Sequence, residues 1–250
     1  MQRLEGKVCV VAGAASPIGV AVAERFAREG GVVVGVDHHE HTVGEHALCA
    51  DLTDEGEVEA VFANVVGRFG RIDVLYNNVG RMDQTDGSAL TLDLDSWRQV
   101  HDANLTPVFL SCKYGIARML DADPAGGSVI NAASFLADIG AATARMAFSS
   151  AKAAVVQLSR DLGVHLARSG VRVNAVLFGP IETPAQRALL ESSPETLPRR
   201  LAHWPMGRLG SLDEAAGTIA FLASDDSGFI TAAALSLDGG ITSAFTIPET

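Results

Sequence analysis

Short apolar runs alternate with longer helical stretches along the whole 250-residue chain, and few folds accept that alternation. The runs are Lys7–Ala12, Gly31–Val36, Ala47–Ala50, Ile72–Tyr76, Gly127–Asn131, Val171–Val176 and Ala234–Leu237. They are rich in Val, Ile and Ala and mostly apolar throughout, as strands buried on both faces of a parallel sheet are. Helical stretches lie between them near Pro17–Glu29, Asp54–Arg68, Leu94–Leu120, Ala147–Arg168 and Asp213–Ala223. This order predicts an α/β fold with one doubly wound parallel sheet flanked by helices. The link from Asp37 to Ala47 is too short and too polar for a crossover helix, so a loop is expected there. No repeat, low-complexity tract or Pro/Ser linker marks a boundary, and residues 1–250 read as a single domain.

Charge and composition narrow the partners. With 19 Lys+Arg against 30 Asp+Glu the formal net charge is −11, and no basic stripe is present to offset phosphate charge. Neither nucleic acid nor an anionic membrane surface is expected as a partner. Apolar runs such as Val8–Ala15 fall short of the roughly 20 residues of a membrane span. Residues 1–7 lead straight into the first strand, so no signal peptide is expected. Cys9, Cys49 and Cys112 are odd in number, far apart and each in an apolar setting. They read as buried thiols of a cytoplasmic protein, not as a disulfide framework.

The strand Lys7–Ala12 runs into Gly13-Ala-Ala-Ser-Pro-Ile-Gly19 and then a helix. Strand, small-residue turn and helix together form the phosphate site of a Rossmann-like unit, where backbone N–H groups and the helix dipole face a pyrophosphate. Gly13, Ser16, Ile18 and Gly19 are therefore candidate dinucleotide-binding residues. Asp37 ends the second strand about 20 residues on, where a carboxylate accepts both adenosine ribose hydroxyls and repels a 2′-phosphate. No Arg or Lys stands in Ala14–Ser16 or at His38–Glu40 to receive that phosphate, which favours NAD(H) over NADP(H).

With these residues in place the chain resembles the short-chain dehydrogenase/reductase family from end to end. The marks are Gly13-x5-Gly19, Asp51-Leu52, Asn77-Asn-Val-Gly80, Asn104, Ser134, Lys152, Asn174, Gly179-Pro-Ile-Glu-Thr183 and Asp238-Gly-Gly240. The resemblance implies that Asp51 and Leu52 border an adenine ring, and that Asn77 to Gly80, with Asn78 and Gly80 foremost, line the cofactor. It implies that Ile181 and Thr183 meet the nicotinamide amide, and that Glu182–His203, with Pro184, Pro194, Pro198 and Pro205, forms a mobile substrate lid. It further implies a homotetramer that uses helices near Leu105–Leu120 and Ala147–Arg168 together with the Asp238–Gly240 end. The apolar tail Ile241–Ile247 would cover a neighbour or its own lid.

In that family a Tyr phenol four residues before a Lys handles the proton, since this spacing stacks both side chains on one helical face. The ammonium lowers the phenol pKa, a Ser hydroxyl holds the substrate oxygen, and an Asn positions a water and the Lys. Ser134, Asn104 and Lys152 fit these roles. The Tyr position holds Phe148. The chain has only two tyrosines, Tyr76 and Tyr114, and both read as core or interface residues. Ser149 and Ser150 point about 100° and 200° away from Phe148 on the helix. His101, Asp138 and Arg145 are the remaining candidates for a substitute acid.

Other departures lie on the cofactor path. Ala12 replaces the usual Thr, Pro17 replaces a Gly in the phosphate turn, and Phe178 precedes Gly179 where Pro is usual. Ser16 as N-cap and Pro17 at the first helical position still make a sound helix start. The cluster His38-His39-Glu40-His41 with His46 reads as a solvated loop, and no metal site is expected. Two functions compete. One is an NAD(H)-dependent oxidoreductase acting on a small or medium apolar carbonyl, alcohol or imine-type substrate without the Tyr. The other is a non-redox or inactive relative that binds cofactor or ligand as a regulator, scaffold, lyase or cyclase.

Overall fold

The computed structural model describes residues 2–83, 85–141, 143–192, 195 and 197–244. Its strands are β1 (Val8–Ala12), β2 (Val32–Asp37), β3 (His46–Cys49), β4 (Val74–Asn77), β5 (Gly127–Ser134), β6 (Val171–Phe178) and β7 (Ala234–Leu237). They form one parallel sheet in the order β3-β2-β1-β4-β5-β6-β7. The order reverses between β1 and β4, so the loops leaving those two strands part and open a crevice at their carboxyl ends. The helices are α1 (Pro17–Arg28), α2 (Glu55–Phe69), α3 (Leu94–Asn104), α4 (Thr106–Leu120), α5 (Met146–Leu166), α6 (Pro184–Glu191), α7 (Leu197–Leu201) and α8 (Leu212–Ala223). Among the described residues, no helix is long and apolar enough to cross a membrane.

Alternate residues of each strand feed two cores. Val11, Tyr76 and Val176 pack with Val22 and Phe26 of α1 and Ile219 of α8. Val10, Leu75 and Val129 pack with Phe62 of α2, Ile116 of α4 and Val155 of α5. Both faces of the central strands are covered, which is why their sequences are apolar without alternation.

The outer strands behave differently and correct one expectation. β3 is a sheet edge whose residues are half-buried or exposed in turn, so Cys49 is exposed, not buried. Cys9 and Cys112 are buried as expected; burial pushes the Cys112 thiol up to about 12 and the Cys9 thiol higher still. The link after Asp37 is a loop, folded so tightly on β2 that a Cβ at Gly35 would stand 2.4 Å from the Val43 carbonyl.

The expected single helix Leu94–Leu120 is two helices broken at Leu105. Pro107 has no N–H with which to continue the α3 ladder, and it is well placed in the first turn of α4. β5 and β6 also run further than expected, pairing Ala132–Ser134 with Val176–Phe178. This extension carries Ser134 out to the crevice. The region 182–205 contains α6 and α7, while Pro194 and the tail beyond Ala244 lie outside the described residues.

Glu29, just beyond α1, is buried and takes both Arg3 nitrogens at 2.7 Å as well as Arg25. The Arg3 guanidinium holds this carboxyl below the usual carboxylate range. A lowered folded-state pKa gives stability that is present above the unfolded value of about 4.3 and is lost as pH falls. Glu29→Gln is expected to cost about 1–3 kcal/mol at neutral pH. Thermal unfolding curves of the two proteins should converge as the buffer is taken below about pH 4.

Candidate active site

The turn after β1 is locked from both sides. A Cβ at Gly13, whose φ is +81°, would stand 2.4 Å from the Asn78 carbonyl oxygen, and one at Gly19 would stand 2.2 Å from that of Gly13. Only glycine fits either place. Ser16 Oγ accepts the Gly19 N–H at 3.1 Å as the N-cap of α1, with Pro17 beginning the helix. Asn78 Nδ2 donates to Ser16 Oγ at 2.6 Å and to the Gly13 carbonyl at 3.2 Å, while Tyr76 Oη donates to Asn78 Oδ1 at 2.9 Å. The buried tyrosine thus braces the turn through Asn78. Ile18 packs on the α1/α8 core, and the positive end of the α1 dipole opens into the crevice.

Asp37 is buried at the end of β2, where its Oδ2 accepts the Ala15 N–H at 3.0 Å. Its other oxygen faces His38 Nδ1 at 2.9 Å. Asp51 is exposed, and the Thr53 hydroxyl and N–H hold its carboxyl below the usual range. Leu52 is buried in the core on the α2 side. Asn77 departs from its expected place along the cofactor. It is fully buried, and its Nδ2 donates to Asn131 Oδ1 at 2.8 Å within the sheet.

On the other side of the crevice α5 delivers Lys152. Its Nζ donates to the backbone carbonyls of Val79 at 2.9 Å and Ala132 at 3.2 Å. Burial lowers its ammonium to about 8. Asn104, at the end of α3, donates through Nδ2 to Arg81 and Val100 carbonyls, both at 2.9 Å. Its buried Oδ1 has no partner among the described residues. A Cβ at Gly80, φ +118°, would fall 2.3 Å from Asn104 Oδ1 and 2.8 Å from Lys152 Nζ. The two polar groups therefore converge on one spot beside Gly80. Ser134 Oγ accepts the Leu136 N–H at 3.2 Å, which leaves its hydroxyl proton to donate.

Residues 13–242 match the family model described as enoyl-(acyl carrier protein) reductase. The chain belongs to the short-chain dehydrogenase/reductase family. It is 35% identical to 2-(R)-hydroxypropyl-CoM dehydrogenase of Xanthobacter autotrophicus, over 94% of this chain and 98% of that one. It is 38% identical to cis-4-hydroxycyclohexanecarboxylate dehydrogenase of Sinomonas cyclohexanicum, over 94% and 96% of the two chains. Among solved structures it is similar to aldohexose dehydrogenase of Thermoplasma acidophilum, with a TM-score of 0.89, 30% identity and 99% of each chain covered.

Phe148 lies one helical turn before Lys152 on α5. Its ring centroid is 5.9 Å from Lys152 Nζ, and the ring packs with Val100, Leu92 and Leu136. Neither tyrosine reaches it. Tyr76 is bonded to Asn78, and Tyr114, half-buried, donates to Glu55 Oε1 at 3.1 Å. His101 does not serve the site either. Its Nδ1 is 3.0 Å from the Trp97 carbonyl and its Nε2 3.3 Å from Ser150 Oγ, a contact between α3 and the side of α5 turned away from Phe148. Asp138 is exposed, and neither it nor Arg145 is bonded to Lys152.

Ile181 is buried on the α1/α8 side, and Thr183 Oγ1 N-caps α6, accepting the Gln186 N–H at 3.2 Å while its hydroxyl proton remains to donate. Ile181 borders a cavity of about 500 Å³ with Pro180, Met206, Phe221 and Leu237, and none of Asn104, Ser134, Phe148 or Lys152 lines it. The histidine cluster is dispersed: His41 Nε2 meets the Leu48 carbonyl and His46 Nε2 meets Asn64. Among the described residues, no three His, Cys, Asp or Glu side chains gather around one point.

Asp86 has a role that the sequence did not show. Its two oxygens accept the Ala147 and Phe148 N–H groups at 3.1 and 2.9 Å, capping α5 from the loop after β4. Asp86→Ala is expected to cost about 1–2 kcal/mol, as loss of an N-cap does, and to loosen the placement of Phe148. Thermal unfolding measures the first effect.

Proposed function

We propose that this protein is an NAD(H)-dependent oxidoreductase that works on a small or medium apolar carbonyl, alcohol or imine-type carbon without a tyrosine. The observation supporting this reading is the convergence of Asn104 from α3 and Lys152 from α5 beside Gly80, with the Phe148 ring centroid 5.9 Å from Lys152 Nζ. The Gly13–Gly19 cradle and buried Asp37 fit a dinucleotide: small backbone, helix N-terminus and a carboxylate suited to ribose hydroxyls. Gly13, Ser16, Ile18, Gly19, Asp37, Asp51, Leu52, Asn78, Gly80, Lys152, Ile181 and Thr183 would hold it. When bound, NAD(H) supplies or accepts a hydride at carbon.

The remaining chemistry belongs to the chain. Ser134 donates its hydroxyl to the substrate oxygen, and Lys152 keeps a positive charge near that oxygen. Phe148 gives the reacting centre an apolar wall and no proton. A carbonyl needs both hydride and proton, so its turnover should be slow, whereas an iminium carbon is neutralised by hydride alone. A carbonyl reaction that depends on the Lys152 ammonium is expected to decline above about pH 8. A permanently charged N-methyl iminium substrate should show no such decline, which steady-state rates from about pH 6 to 9 would check. Binding is tested by NADH fluorescence, and turnover by a panel of ketones, alcohols and cyclic imines with the wild type and Phe148→Tyr.

A second reading is favoured by the same Phe148: a non-redox relative that keeps cofactor or ligand binding as a regulator, scaffold, lyase or cyclase. Turnover of no substrate by the wild type, with NADH bound, would decide for it.

The proposal extends to assembly and setting. Phe109 and Leu120 on α4 and Met146 and Val164 on α5 leave large apolar surfaces exposed, which supports a homotetramer built on this helix pair. Sedimentation velocity should show four chains, and Phe109→Glu should shift the protein to smaller species. A cytoplasmic protein of one domain, with segment 182–205 as the substrate lid, completes the reading.

A further inference from the structure

Asp37, the carboxylate read as the ribose acceptor, carries an imidazole on one of its oxygens. His38 Nδ1 stands 2.9 Å from Asp37 Oδ1; the His38 side chain is 63% exposed and that of Asp37 only 8%. The buried carboxylate is also anchored to the phosphate turn through the Ala15 N–H. The imidazole, in contrast, stands largely open to solvent beside Asp37. Its backbone is tied to the next strand, because Cys49 Sγ donates to the His38 carbonyl at 3.5 Å.

The charged and titratable neighbours are few. His39 lies against the His38 ring with centroids 3.8 Å apart. Asp51, beyond β3, is close enough for the two charges to act on one another. Glu57 of α2 faces this corner only through its bond to the Asp51 N–H, and Glu40 is exposed in the same loop. The β1–α1 turn contributes backbone N–H groups and no charged side chain.

We propose that His38 makes the discrimination between NAD(H) and NADP(H) depend on pH. The idea rests on the cofactor reading above and deepens it. Neutral His38 leaves the Asp37 charge uncompensated, and a 2′-phosphate is excluded. Protonated His38 offsets that charge and offers the phosphate a cation directly beside the Asp37 carboxylate. Histidine is the side chain whose charge changes between pH 5 and 8. The phosphate's own second proton, with a pKa near 6, narrows the discrimination in acid by itself, so the contribution of His38 must be isolated by substitution.

The experiment is a fluorescence titration of the full chain with NADH and NADPH at about pH 8, 6.5 and 5.5, with circular dichroism confirming the fold at each pH. The Kd ratio, NADPH over NADH, is expected to fall by about tenfold more in the wild type than in His38→Ala on going from pH 8 to 5.5. His38→Arg should give a low ratio at every pH, and His39→Ala should behave as the wild type. Equal narrowing in wild type and His38→Ala would overturn the role of His38 while leaving the NADH reading intact. Failure of NADH to bind at any of these pH values would remove the cofactor reading and this inference with it.

Discussion

Replacing Phe148 by Tyr should raise turnover of carbonyl substrates by about 10²–10⁴-fold, the usual worth of a positioned general acid. The rest of the apparatus is already set for the phenol. Lys152 lies one helical turn along α5, and its Nζ, held by the Val79 and Ala132 carbonyls, is 5.9 Å from the ring centroid. Ser134 keeps a proton to donate, and Asp86 fixes the backbone at Phe148 itself. A phenol beside this ammonium would have its pKa lowered from about 10 toward the working range. The gain should appear in kcat for ketones and be small for a permanently charged iminium, because only the former needs the proton. Steady-state kinetics on both substrate types would separate these outcomes. Equal gains on both would mean that the ring, and not the proton, limits the reaction.

Gly80→Ala should be nearly as damaging as the tyrosine is helpful. The position has φ +118°, where a side chain is strained, and the added Cβ would overlap Asn104 Oδ1 at 2.3 Å and Lys152 Nζ at 2.8 Å. Both groups must move. A displacement of about 1 Å in positioned groups is enough to cost about 10²-fold. The loss is best measured in the Phe148→Tyr background, as a fall of at least that size in kcat for a ketone. A cooperative thermal transition would confirm that the variant still folds. Preserved turnover would mean that the convergence of Asn104 and Lys152 is not needed for the reaction.

The phosphate turn was legible because its signals are local: an apolar strand, small residues, an N-cap serine and a proline at the helix start. The end-to-end resemblance to the family points to Asn104, Ser134 and Lys152 from the sequence alone. What escaped notice depends on contacts distant in sequence. Asp86 caps a helix 61 and 62 residues further on, and no spacing rule links them. Asn77 looked like part of the cofactor wall, but its amide closes a bond across the sheet to Asn131. Apolar neighbours suggest a buried Cys49, whereas its exposure is set by the edge position of β3, a property of strand order. The break at Leu105 was partly visible in Pro107, which in a long helical pattern marks a boundary.

Transfer of label from NADH deuterated at C4 tests most directly whether hydride moves in a site that has no phenol. The wild-type protein, saturated with this cofactor, would be given a ketone and an N-methyl iminium salt, with Phe148→Tyr as the reference, and the products weighed by mass spectrometry. The expected result is deuterium on carbon in both wild-type products, faster for the iminium than for the ketone. Deuterium transferred by Phe148→Tyr but to no substrate by the wild type, with NADH bound in both, would contradict the account and leave a relative that binds without turning over.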